Sequence, residues 1–179
     1  MVPWHVIEQR QLVQSSFLRV REDRVRLSNG AEIDDFCVIE APDWAAVLCI
    51  TPREEVVLVR QYRHGIVGES LELPAGALEA GEAPLAGAQR ELLEETGYAS
   101  SGWQHILTAS VDPSRQTARA HFYCAVGAEL VATPRLDPSE DLETLLLSKA
   151  EVMRLIDGGR LAHGVHVAAI LMAQRRGYI

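Results

Sequence analysis

No apolar run in the chain approaches the roughly 20 residues that a helix needs to cross a bilayer. The first residues, MVPWHVIEQRQ, also lack the long apolar core of a secretory signal, so a cytoplasmic protein is the expectation. Positive charge is in deficit: 17 Lys and Arg stand against 25 Asp and Glu, a formal charge of −8. That balance argues against unaided binding to nucleic acid or an anionic membrane. An anionic ligand would need a local cationic group or a metal. Cysteine is scarce too. Cys37, Cys49 and Cys124 are widely spaced in apolar stretches, have no zinc-like spacing, and read as free thiols of a reducing compartment. Internal repeats and low-complexity tracts are absent.

The rest is ordinary globular composition, 47% hydrophobic and 23% charged, and 179 residues suffice for one well-buried domain with a small appendage. The N-terminal part reads as strands at 11–20, 24–27 and 34–40, with Ser28-Asn29-Gly30 as a hairpin turn. Such a meander is marginal alone and needs a partner surface, in the main domain or in a second subunit. Pro42-Asp43 marks a boundary, giving an N-terminal antiparallel β-meander at 1–43 and a larger domain at 44–179. In the larger domain, 44–50, 55–63, 103–110, 117–126 and 142–148 are expected strands, and 84–96 a helix. Ser148 and Glu151 form a capping box for a helix ending near Gly158-Gly159, and a last helix runs from about Gly164 to Arg176. Mixed strands with a few helices imply a layered α/β domain.

The densest signal is ELPAGALEAGEAPLAGAQRELLEETGY, residues 72–98. Pro84 suits the first turn of a helix and Gly97 its left-handed end. At 100° per residue, Leu85, Ala86, Ala88, Leu92 and Leu93 share one arc, the expected core face, and Glu91, Glu94 and Glu95 share a separate arc beside it. Like charges at this spacing destabilise a helix by a few tenths of a kcal/mol. A cation would turn that repulsion into shared attraction, because hard divalent ions prefer carboxylate and carbonyl oxygens. The small residues Pro74-Ala75-Gly76 would let backbone carbonyls join them.

The stretch resembles the signature of the Nudix hydrolases, Gly-x5-Glu-x7-Arg-Glu-apolar-x-Glu-Glu-x-Gly-apolar. Gly76, Glu82, Arg90, Glu91, Leu92, Glu94, Glu95 and Gly97 stand at those spacings, with Tyr98 a mild departure in the last place. Identities at background frequencies of about 7% would coincide on the order of 10⁻⁸ per start point. The resemblance implies a Nudix-type α/β/α sandwich with a mixed sheet and hydrolysis of a diphosphate bond with Mg²⁺, or Mn²⁺ as a substitute. It implies Glu91 and Glu95 as metal ligands, Glu94 as a further ligand or an organiser of water, and the Ala75 carbonyl as an extra ligand. Arg90 is implied to orient the glutamates by a salt bridge, with Glu82 in support.

Outside the signature the chain is similar to the ADP-ribose pyrophosphatase branch, through the N-terminal meander, the run VRQYRHG…LELPAG, and Pro113 beyond Gly97. That branch implies a homodimer formed through the meander and a small-molecule substrate, ADP-ribose or another nucleoside diphosphate sugar. The alternatives are NADH, a dinucleoside polyphosphate, a nucleoside triphosphate, or a sensor that binds without turnover. Arg63 is the implied phosphate contact, with Arg60 a weaker alternative. Glu72 is a candidate substrate contact and Trp44 a candidate adenine stacker. Where the branch often has Pro-Gly, this chain has Pro113-Ser114, followed by Arg115, a candidate contact to another phosphate or sugar. Glu140, in a second acidic run, is the expected general base and possible metal ligand. Asp141, Glu143 and Glu94 remain alternatives. His64 sits beside Arg63, while His105, His121, His163 and His166 make no metal-ligand spacing and are expected in structural or surface roles.

Overall fold

The computed structural model describes residues 2–16 and 18–179. Its contacts divide the chain into two compact units, Met1–Asp43 with Ser110–Arg119, and Trp44–Ala109 with Ala120–Ile179.

The first unit is an antiparallel three-stranded sheet in the order β1-β2-β3, formed by β1 (His5–Gln14), β2 (Arg19–Arg26) and β3 (Glu32–Glu40). The Asn-Gly turn forms where expected: Gly30 has φ +87° and the Leu27 N–H donates to the Ala31 carbonyl at 2.8 Å. The expected strand at 11–20 is instead split between β1 and β2, and Phe17 within it lies outside the described residues. Serine chemistry overrides β-propensity there. The Ser15 N–H donates to the Leu18 carbonyl at 2.9 Å, and the Leu18 N–H donates back to Ser15 Oγ at 3.0 Å, closing a turn. Residues 110–119 join this unit through β3, where the Ile39 N–H donates to the Arg115 carbonyl at 2.7 Å.

The second unit is built on a seven-stranded mixed sheet. Its strands are β4 (Trp44–Ile50), β5 (Glu55–Arg63), β6 (Gly68–Glu72), β7 (Ala75–Ala77), β9 (Gly102–Ser110), β10 (Arg119–Val126) and β12 (Leu142–Ser148). The main path runs β12-β5-β4-β10-β9, with β6 beside β5 and β7 beside β4. β4 pairs in parallel with β10 and antiparallel with β5 and β7. Short strands β8 (Tyr98–Ala99) and β11 (Glu129–Leu130) pair separately. Three α-helices complete the unit: α1 (Pro84–Thr96), α2 (Lys149–Asp157), whose Ser148–Glu151 capping box is present, and α3 (Gly164–Arg175).

Central strand β4 sorts its side chains by the two-residue period of a strand. Ala45, Val47 and Cys49 cluster with Ala88 and Leu92 of α1. Trp44, on the opposite face, meets Phe122 of β10 and His166 of α3. Helices α1 and α3 therefore flank opposite faces of the sheet, and the short segment between β6 and β7 lies within reach of both. Among the described residues, no helix is long and apolar enough to cross a membrane.

Candidate active site

Helix α1 has the predicted ends. Pro84 occupies its first position, and Gly97, at φ +74°, closes it with an N–H bond to the Leu93 carbonyl at 2.9 Å. Its faces differ from the expected arcs. Leu85 and Leu93 are 37% and 38% exposed, whereas Glu91 and Glu95 are only 7% and 4% exposed. Two carboxylates one turn apart thus lie on the buried face beside Gly87, Ala88 and Leu92. The segment at 75–76 meets both glutamates: the Ala75 N–H donates to Glu95, and Gly76 lies against Glu91.

Buried carboxylates need partners. Here Arg90 is the hub. Its Nε and Nη2 grip Glu82 at 2.9 Å each, Nη1 donates to Glu91 at 2.7 Å and to Glu94 at 3.0 Å, and Nη2 reaches the Ala77 carbonyl at 3.1 Å. The guanidinium holds the Glu82 carboxyl down to about 2, with help from the Glu79 N–H. Burial pushes Glu91 upward against the pull of Arg90, with Glu94 and Glu140 adding to the rise. Glu95 receives the Ala75 N–H at 2.9 Å, yet burial, then the charges of Glu91 and Glu140, carry it up to about 8. One arginine is shared among three carboxylates, and a fourth, the more deeply buried Glu95, makes no bond to it.

Gly76 explains how Glu91 fits. A Cβ at that position would sit 2.2 Å from the Glu91 carboxylate, so the missing side chain is the space the carboxylate occupies. Among the described residues, no three His, Cys, Asp or Glu side chains already form a group able to hold a metal ion. Arg90 and the Ala75 N–H engage the carboxylates instead. The donor chemistry nonetheless suits a hard divalent cation: two closely packed, buried carboxylates short of positive charge, beside a glycine-lined backbone.

The remaining expected residues are more scattered. Arg63 and Glu72 form a bidentate pair, at 2.9 and 2.7 Å, in which Glu72 is buried and the Arg63 side chain remains 47% exposed. Trp44 is half-buried, edge-on to Phe122 and His163 with centroids 5.5 Å away, and tilted against His166. Glu140 belongs to the loop before β12, where its carboxylate accepts the Asp137 N–H at 2.8 Å. Glu143, by contrast, pairs with Arg60 across β12 and β5, which accounts for both as a surface ion pair. Arg115 belongs to the first unit rather than to the unit carrying α1.

The sequence gives little weight to His166, but it is wholly buried and its Nδ1 accepts the Leu73 N–H at 3.2 Å, next to Pro74-Ala75. Only its location at the start of α3, three residues after another histidine, could have marked it.

Fold and acidic helix together define a Nudix hydrolase. The chain belongs to the NUDIX domain family, whose profile matches residues 41–167, while the nucleoside diphosphate sugar hydrolase N-terminal domain matches residues 4–39. It is 30% identical to the methanol dehydrogenase activator of Bacillus methanolicus over 94% of this chain and 91% of that protein. It is 29% identical to the ADP-ribose pyrophosphatase of Mycobacterium tuberculosis over 94% of this chain and 82% of the relative. A solved structure described as an ADP compounds hydrolase superposes with TM-score 0.86 at 19% identity, covering 100% of this chain and 98% of that one, a likeness of fold. Members of the family generally use divalent metal ions.

Proposed function

We propose that the chain hydrolyses the pyrophosphate bond of ADP-ribose or a related nucleoside diphosphate sugar with Mg²⁺, releasing a nucleoside monophosphate and a sugar phosphate. The observation that carries this reading is the buried Glu91–Glu95 pair, which Gly76 admits against the backbone and which lacks matching positive charge. Glu91, Glu95 and the Ala75 carbonyl would hold the cation, with Glu94 and Glu140 as further ligands and Mn²⁺ as a substitute. A cation bound there polarises phosphoryl oxygens and supplies the charge that phosphoryl transfer needs.

The chain's own residues do the rest. Arg90 orients Glu82, Glu91 and Glu94. Arg63 binds a substrate phosphate, its guanidinium held in place from one side by Glu72. Glu140 takes the proton from the attacking water. Trp44 and Arg115 contribute to nucleoside and sugar recognition. The protein acts in the cytoplasm as a homodimer joined through the N-terminal sheet. Its edge strand β1 exposes Val6, Leu12 and Val13, a surface that a second copy would cover.

The test is incubation of purified protein and Mg²⁺ with ADP-ribose, other nucleotide sugars, NADH, dinucleoside polyphosphates and nucleoside triphosphates, with products identified. Preference for a nucleotide sugar, with AMP or another monophosphate released, supports the reading; preference for triphosphates with release of inorganic pyrophosphate overturns the substrate class. The likeness to a dehydrogenase activator favours one second reading, a nucleotide-binding regulator of a partner enzyme. Tight ADP-ribose binding without turnover in Mg²⁺ or Mn²⁺ would select it.

A further inference from the structure

Four consecutive residues, 72–75, are each tied down by a different element. The Glu72 carboxylate grips Arg63 of β5. The Leu73 N–H donates to His166 Nδ1 of α3 at 3.2 Å. The Pro74 carbonyl accepts the Val47 N–H of β4 at 2.9 Å, and the Ala75 N–H donates to Glu95 of α1 at 2.9 Å. Gly76 then leaves room for the Glu91 carboxylate. The segment is the wall against which both buried carboxylates rest. Its position decides where the Ala75 carbonyl and N–H stand relative to them. Three of its ties come from β4, β5 and α1. The fourth comes from a helix on the opposite face of the sheet.

That fourth tie is specified by the surroundings of the ring. His166 is 1% exposed and stacks on His163 at 4.1 Å with the planes 11° apart. Phe122 and Trp44 close round it at 5.6 and 5.5 Å. Nδ1 can accept the Leu73 N–H only if it carries no proton, which fixes the neutral Nε2–H tautomer. Burial, and then His163, push the imidazole down to about 3, so it stays an acceptor across the physiological range. Among the described residues, Nε2 finds no hydrogen-bond partner. The fold leaves one polar atom of this ring unsatisfied yet keeps the bond from the other. An apolar residue of similar size would fill the cage without that cost, but would abandon the Leu73 N–H in the core.

We propose that His166 is a positioning residue for the cation site: through Leu73 it sets the placement of Pro74-Ala75-Gly76 against Glu91 and Glu95. The inference rests on the reading that those carboxylates hold a divalent cation. His166 touches neither substrate nor cation. Its effect is expected on cation affinity, where residues that orient ligands from behind are worth about 10–100-fold. Trp44 and His163 serve the same device as walls of the cage.

The experiment compares three variants by Mn²⁺ binding to the full-length protein without substrate. His166→Asn keeps an acceptor close to the Nδ1 position, whereas His166→Gln moves it outward by one bond. Glu95→Gln removes the carboxylate itself. The expectation is roughly 10-fold or more weaker Mn²⁺ binding in His166→Gln, rescue to within about threefold in His166→Asn, and loss in Glu95→Gln. Normal affinity in His166→Gln alongside loss in Glu95→Gln overturns the role of His166 alone. Normal affinity in Glu95→Gln overturns the cation site, and this inference with it. Should the histidine variants fail to fold, amide exchange on the unaltered protein decides. Mg²⁺ should slow the Leu73 and Ala75 amides together, and slowing at Ala75 with none at Leu73 would refute the linkage.

Discussion

In the N-terminal sheet, carboxylates meet arginines across neighbouring strands. Glu22 faces Arg10 at 2.7 Å, Glu32 is held by Arg24 and Arg26, and Glu40 meets Arg21 at 2.8 Å. Around α1 the carboxylates outnumber the arginine, since Glu82, Glu91 and Glu94 crowd onto Arg90 while Glu95 relies on one backbone N–H. The side-chain types are the same in both places, so composition does not separate them. Burial without matching charge does. A solvated, paired carboxylate contributes little to stability, whereas a buried and underpaired one is a standing cost that folding alone would not retain. The contrast teaches where to look for function: at the carboxylates the chain could have stabilised better and did not.

Neutralising one member of each set is the largest way to break that comparison. Glu95→Gln should cut kcat for ADP-ribose hydrolysis by on the order of 10²–10³-fold. The same change should stabilise the cation-free protein. A carboxyl at about 8 in the fold and near 4.3 unfolded costs stability at neutral pH, so removing it should return about 1–3 kcal/mol. Thermal unfolding in EDTA, beside turnover in Mg²⁺, reads both effects. Glu32→Gln should alter neither by more than about twofold in rate or about 1 °C in Tm. A Glu95→Gln protein that is both inactive and less stable would place Glu95 among ordinary structural residues.

Gly76→Ala comes next. The new Cβ would occupy the space of the Glu91 carboxylate, so that side chain must leave its place beside Arg90. Activity should drop about 10–100-fold, with Mn²⁺ affinity falling in step and Glu82 still bound to Arg90. Unchanged Mn²⁺ binding would show that Glu91 is not needed where the structure puts it.

These two residues also show what could be read beforehand. The ends of α1 were legible because Pro84 and Gly97 act locally. The chemistry was legible because spacing along a helix carries it. The buried face was not: a helical wheel counts apolar residues, and it placed Leu85 and Leu93 inward, whereas the sheet and the 72–76 wall select Glu91 and Glu95. Likewise the turn at Ser15–Leu18 depends on one hydroxyl inside a strand-like pattern. The Leu73–His166 bond joins residues 93 apart in sequence, beyond the reach of any local period.

Acid should sharpen the contrast between the two buried titratable groups. His166 sits at about 3 in the fold and near 6.5 unfolded, so between those values the unfolded chain binds the extra proton and stability falls as pH drops. His163, Glu72 and Arg63 are the charged or titratable groups facing it. Glu95 works the other way, because its folded value is raised and its cost fades as pH falls from about 8. In cation-free protein the two effects oppose each other. In Glu95→Gln the histidine is no longer offset by Glu95, and its own contribution on lowering the pH from 7 to 5 should be a loss of about 2 kcal/mol of stability. Adding His166→Asn to that background should abolish most of the loss. Equal acid sensitivity with and without His166→Asn would mean that the imidazole is not held neutral by the fold.

The smallest effect is expected at Glu143, which carries the comparison into the catalytic unit itself. It lies three residues from Glu140, yet its carboxylate pairs with Arg60 across the β12–β5 register, in the manner of the N-terminal sheet. Both partners are well exposed. Glu143→Gln should therefore leave kcat within about twofold, since screened surface pairs contribute little. Glu140→Gln should cost on the order of 10²-fold, the usual weight of a general base. Steady-state rates with ADP-ribose and saturating Mg²⁺ distinguish the two. If Glu143→Gln proves the damaging change, the proton acceptor is the residue bound to Arg60, and pairing has ceased to be a sign that a carboxylate here is idle.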